Sequence, residues 1–363
     1  MTAEETPASS NNDETTQAQT TIEALEWHAP VLVRIDEHTT IPHLLKERVQ
    51  RGATRPLILR KIGIGDTWRS ITAREFYDEV HALAAGLIAR GLEPGDRVAI
   101  MSRTRYEWTL LDFACWAAGL VPVPIYETSS IDQVAHVLVD ADVTLIITET
   151  VSMAEIVRAA AERENRDNTY VLSLDSEAIE TLIADGAATP SERVLARSEA
   201  LTKDDIATIV YTSGTTGTPK GTVLSHENFT NLCLNAHSWM PEIAAGKDSR
   251  LLLFLPLAHV FARFLQVFQI SGNGVLGHAS NIKNLLGDLA SFRPSYLLVV
   301  PRVLEKIYNS ADTKASGPKR KIFRWAAKVA IAYSQALDTE EGPSASLKAQ
   351  HALADKLVYQ QII

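Results

Sequence analysis

The chain has 363 residues, 46% of them hydrophobic and 22% charged, with a net charge of −9. One core rarely grows past about 250–300 residues, so this length points to two domains or to a large part of something longer. The composition excludes collagen, coiled coil and wholesale disorder. Its acidic balance argues against a broad nucleic-acid footprint, and its two cysteines cannot build a disulfide framework, which fits a reducing cytosol.

The first 20 residues hold four acids and neither Lys nor Arg, with no apolar run, so they are expected to be a disordered acidic tail rather than an export signal. From about Thr21 an alternating pattern begins. Phe76, Val80, Leu83 and Leu87 recur at helical spacing, with Glu75, Asp78 and Glu79 near the helix start. The turn 91–96 ends that helix, and a short strand is expected over 97–101. An apolar helix over 108–118, a strand over 121–126, a helix marked by Ile131, Val134 and Leu138, and a strand over 144–148 follow. This alternation predicts a parallel sheet built from βαβ units. The polar, turn-rich stretch 160–205 reads as a boundary, giving a first α/β subdomain over 21–205 and a second over 206–363. Cys115 and Cys233 sit in apolar surroundings and read as buried small hydrophobes.

Within the second block, Leu251–Ile270 reads as a buried strand running into a helix, too polar for a membrane span because it holds Pro256, His259, Arg263 and two glutamines. Further on, Lys314, Lys319, Arg320, Lys321, Arg324 and Lys328 alternate with Ile322, Trp325, Val329 and Tyr333 along a helix opened by Pro318. Such a helix over 314–337 can lie on an anionic membrane; the alternative is a surface helix with its apolar face on the core.

The segment richest in chemistry is YTSGTTGTPKG, 211–221. It follows the apolar strand 206–210 and precedes a helix capped by Ser225. Glycines let the backbone approach an anion, hydroxyls and N–H groups supply donors, and Lys220 adds a compact positive charge, which together suit a triphosphate. The spacing fits neither G-x-x-x-x-G-K-[ST] nor G-x-S-x-G. A plain Ser/Thr/Gly linker would call for neither the flanking strand nor the Pro-Lys-Gly ending.

These eleven residues closely resemble the phosphate-binding signature of the AMP-forming acyl-adenylating enzymes. LPLAHVFAR (255–263) resembles that family's segment whose histidine borders the adenylate and the acyl pocket, a role that would fall on His259. PSYLLVVPRVLEKIY (294–308) resembles the long-chain fatty acyl-CoA synthetase form, and the opening from Thr67 to Trp108 resembles the family's first subdomain. The resemblance implies an α/β fold, with layered parallel-sheet subdomains of the adenylate-forming large domain, truncated. It places Thr212, Ser213, Gly214, Thr215, Thr216, Gly217 and Lys220 at the β- and γ-phosphates, with Thr215 beside Mg²⁺ and Thr215 and Lys220 supporting catalysis. The implied substrates are ATP, a long-chain fatty acid and coenzyme A, with Mg²⁺ as cofactor, no nucleic acid, and a cytoplasmic location with membrane association through 314–337 left open. Arg302 and Glu305 read as a surface pair, and Phe254, Phe261, Phe264 and Phe268 as acyl-tunnel lining or ordinary core.

The family's Y-G-x-T-E, ribose-binding aspartate, hinge and C-terminal catalytic lysine have no match, and the chain ends in an apolar-periodic helix without a stop signal. The expectation is an incomplete enzyme, inactive alone. Two alternatives stay open: a relative that feeds a carrier protein, and a catalytically dead nucleotide-binding remnant.

Overall fold

The computed structural model describes residues 31–63, 67–166, 168–212, 219–244, 246 and 249–361. The expected tail lies outside them. The described residues from Val33 onward form one compact unit.

The chain order is α1 (Ile41–Gly52), β1 (Pro56–Lys61), β2 (Trp68–Thr72), α2 (Ala73–Ala89), β3 (Arg97–Met101), α3 (Tyr106–Ala117), β4 (Val121–Ile125), α4 (Ile131–Asp140), β5 (Val143–Thr148), α5 (Val151–Arg163) and β6 (Tyr170–Ser173). Then come α6 (Ala178–Asp185), α7 (Ser191–Ala200), β7 (Ile206–Thr212), β8 (Lys220–Ser225), α8 (His226–Trp239), α9 (Pro241–Ala244), β9 (Arg250–Leu253), α10 (Val260–Ser271) and β10 (Val275–His278). Four helices follow: α11 (Leu285–Phe292), α12 (Pro301–Lys314), α13 (Gly317–Leu337) and α14 (Ala345–Leu357).

The expected βαβ pattern builds a wholly parallel sheet of order β4-β3-β5-β6. A second sheet, β2-β1-β10-β9, is parallel across β1, β10 and β9 and antiparallel at β1–β2. Local chemistry explains the boundaries. Thr72 and Glu75 form a capping box that starts α2, and Ser130 and Gln133 do the same for α4. At β4 the sequence is Val-Pro-Val-Pro-Ile; the N–H of Val121 bonds Asp96 on the β3 side, so Pro122 and Pro124 leave the other edge without donors. That edge cannot extend the ladder, and β7–β8 stands beside it as a separate two-stranded antiparallel ribbon.

The expected boundary at 205 does not separate the sheets. β1 pairs with β10, which places β2 and β9 in the same sheet, and one apolar core runs from Ile41 in α1 to Leu276 in β10. Residues 160–205, read as a turn-rich boundary, contribute the fourth strand β6 and helices α6 and α7. Both cysteines are fully buried, as expected. The basic helix is α13; Ala326 and Val329 pack on Ala354 and Val358, so part of its apolar face is covered by α14 and the residues just after it. Among the described residues no helix is long and apolar enough to cross a membrane.

Candidate functional site

The loop-bearing hairpin is anchored through its first strand. Trp116 Nε1 in α3 donates to Ala207 O at 2.7 Å, and Thr208 Oγ1 donates to Pro122 O at 2.7 Å, using a carbonyl on the proline-blocked edge. The antiparallel register sets Thr212 opposite Lys220, so the two ends of the expected phosphate loop are brought together. Ser213, Gly214, Thr215, Thr216 and Gly217 lie outside the described residues. The helix expected to open at Ser225 is α8, which Ser225 caps through a capping box with Asn228, and β8 fills the residues between it and the loop.

His259 lies at the other side of the site. It is exposed and forms the N-cap of α10, its Nδ1 accepting from Phe261 N at 3.2 Å. With Nδ1 used as an acceptor, Nε2 is left as the ring's donor. The turn that delivers it is stapled by Thr104, whose Oγ1 donates to Leu255 O at 2.7 Å and accepts from Leu257 N at 3.2 Å.

A cavity of about 330 Å³ joins these parts. Thr212, Pro219 and His259 line it, together with Tyr126, Ser129 and Gln133 from the loop after β4 and the start of α4. Its size and mixed lining suit a small-molecule site. Lys220 opens β8 and is exposed, but its side chain is not among those that wall this cavity. Of the four phenylalanines, Phe268 is buried in the main core, Phe254 packs on a separate cluster around Phe292, and Phe261 is exposed and stacks on Phe264. None of them lines the cavity. Arg302 and Glu305 are exposed on α12.

Beneath the site runs a buried polar chain. Arg263, one turn after His259, donates to Asp112 Oδ1 at 2.6 Å and to Thr208 Oγ1 at 2.7 Å. Gln266 donates to the other Asp112 oxygen at 2.9 Å and accepts from Thr109, which in turn meets His278 Nε2 at 2.7 Å. Arg263 and Asp112 have no exposed side-chain surface, and burial pushes the Asp112 carboxyl up against the pull of Arg263. The network ties α10, α3 and β7 together, so His259 and the hairpin rest on one support. Arg263 stood in a recognised motif but its role was not legible, because its partners lie more than 50 residues away. Tyr126, Ser129, Gln133 and Thr104 carry no local signal that would have singled them out.

Among the described residues no group of three or more His, Cys, Asp or Glu side chains could hold a metal ion.

Comparison with known proteins agrees with this architecture. Residues 45–344 match the family profile described as AMP-binding enzyme. The long-chain-fatty-acid–CoA ligase FadD15 of Mycobacterium bovis is 39% identical over 340 residues, covering 93% of this chain and 56% of that protein. The long-chain-fatty-acid–CoA ligase ACSBG2 of Rattus norvegicus is 29% identical over 350 residues, covering 86% and 50% respectively. Among solved structures, a fatty acyl CoA synthetase of Mycobacterium tuberculosis shares the fold with a TM-score of 0.62 at 24% identity, covering 74% of this chain and 51% of that one. The chain spans about half the length of the curated relatives it matches.

Proposed function

This chain belongs to the AMP-binding enzyme family, and on that premise we propose that it supplies the nucleotide- and acyl-facing part of a long-chain-fatty-acid–CoA ligase. In the proposed reaction a fatty carboxylate oxygen attacks the α-phosphorus of ATP and pyrophosphate leaves, giving an acyl-adenylate. The thiolate of coenzyme A then attacks the acyl carbonyl and AMP leaves. The observation that carries this reading is the cavity in which the loop ends, Thr212 and Pro219, face the same space as His259.

Phosphoryl chemistry of this kind is accelerated mainly by positioning and by stabilising charge on the transferring oxygens. The 212–220 loop holds the β- and γ-phosphates, with Lys220 supplying charge at its end. The Nε2–H of His259 donates toward the carboxylate end of the acyl group. Mg²⁺ would offset phosphate charge, with the Thr215 hydroxyl as the protein group beside it. Coenzyme A rather than a carrier protein is the acceptor, in keeping with the relatives' names.

Calorimetric titration of the 363-residue chain with ATP tests the loop assignment. Lys220→Ala should weaken binding by about 10-fold or more, since hydrogen bonds to charged groups contribute more than neutral ones. Equal affinity in the variant overturns it. Peripheral membrane contact through 314–337 is the remaining element of the proposal. It is supported by exposed Lys319, Lys321 and Lys328 beside exposed Ile322 and Ile331, although Arg320 and Arg324 are engaged by Asp312. Co-sedimentation with phosphatidylserine vesicles but not phosphatidylcholine vesicles is the expected result; equal recovery with both contradicts it.

A further inference from the structure

Helix α4 contributes more to the site than a wall. One of its faces carries Gln133, His136, Val137 and Asp140 at helical spacing. Gln133 and Val137 line the cavity. The other two reach the two ends of the loop. On the incoming strand, Tyr211 Oη donates to Asp140 Oδ2 at 2.6 Å. On the outgoing side, His136 Nε2 donates to Pro219 O at 2.7 Å, the only sense possible because a carbonyl accepts. The His136 and Tyr211 rings meet edge to face, with centroids 5.8 Å apart. Burial and the Asp140 contact both push the Tyr211 hydroxyl pKa up, so it stays protonated and remains a donor.

The helix is a firm support for such contacts. Val134 and Leu138 are buried in a cluster with Ala99, Val123 and Ile146 of the parallel sheet, and Tyr211 packs on that same cluster. Pro219 has no N–H of its own, so its carbonyl is the backbone group through which this end of the loop can be held. We propose that His136 and Asp140 are positioning residues that fix both ends of the phosphate loop against α4 and thereby set the geometry in which nucleotide is bound. This rests on the nucleotide-binding reading above, and it adds two residues outside the phosphate signature.

The test uses the full chain and two readouts. Amide hydrogen exchange of the 211–225 segment should speed up in His136→Leu and in Tyr211→Phe, while peptides of β3, β5 and α2 exchange as in the wild type. ATP affinity should fall about 3- to 10-fold in each, the range expected for one hydrogen bond. His136→Gln, whose amide can donate from a comparable position, should restore most of both. A purely structural role would lower the melting temperature of the whole unit and would not be rescued selectively. Unchanged local exchange and unchanged affinity in both variants, with the wild type binding ATP, overturn the proposal. Failure of the wild-type chain to bind ATP overturns the nucleotide reading instead, while accelerated local exchange would still support the clamp.

Discussion

The buried pair Arg263–Asp112 makes the sharpest quantitative prediction. Both side chains are fully buried, 2.6 Å apart, and Arg263 also bonds Thr208 and lies over the Trp116 ring at 5.6 Å. Arg263→Leu leaves the Asp112 carboxylate with Gln266 as its remaining side-chain partner; Asp112→Leu leaves a buried guanidinium with Thr208. Removing one partner of a buried ion pair costs about 3–5 kcal/mol, because the other charge is left uncompensated. The two single variants together should therefore lose about 6–10 kcal/mol. The double variant removes both charges and restores apolar packing, but Gln266 and Thr208 each lose a bond, so about 2–4 kcal/mol is expected. The coupling energy is the difference, about 4–6 kcal/mol. Urea unfolding followed by Trp fluorescence measures it from the midpoint shifts, provided the slopes agree. Losses that add to within about 0.5 kcal/mol, or a single variant costing under about 1 kcal/mol, refute the claim that this pair ties α10 to α3 and β7.

Other outcomes follow from particular contacts. A Cβ built on Gly86 in α2 would stand 1.8 Å from the backbone oxygen of Leu182, so Gly86→Ala must push α2 and α6 apart; a loss near 3 kcal/mol is expected by thermal unfolding, and an unchanged melting temperature contradicts it. Burial pushes His226 and His278 down to about 4 from the usual 6.5, so both are neutral in the folded chain. The unfolded chain binds more protons between those values, so stability is complete above about pH 6.5 and declines as pH falls toward 4, by about 3 kcal/mol per histidine. Melting temperature against pH should fall across that window, and His278→Gln should flatten the fall; an identical profile in the variant counts against the assignment.

Much of the parallel sheet was legible because its signals are local. The strands at 97–101, 121–125 and 143–148 are short apolar runs between helical periods, and the cap at Ser225 is a side chain acting within three residues. The second sheet was not legible, because β1 meets β10 across more than 200 residues and no pattern within either strand names its partner. Residues 160–205 misled for a related reason: α6 and α7 are short and polar on their outer faces, so their burial on α2 leaves a weak periodic signal. Within the site, Thr212, Lys220 and His259 were marked by their motifs. That Thr212 and His259 share a cavity while Lys220 stands outside its lining depends on side-chain direction along β8, which the motif does not encode.

The proposed activation of a fatty carboxylate as an acyl-adenylate is measured most directly by the exchange of labelled pyrophosphate into ATP, in a chimera that joins this chain to the C-terminal half of a relative. Palmitate should drive the exchange, and Lys220→Ala should reduce it by at least about 10-fold. A chimera that binds ATP but exchanges no label with palmitate, or a Lys220→Ala form that exchanges at the full rate, would contradict the account.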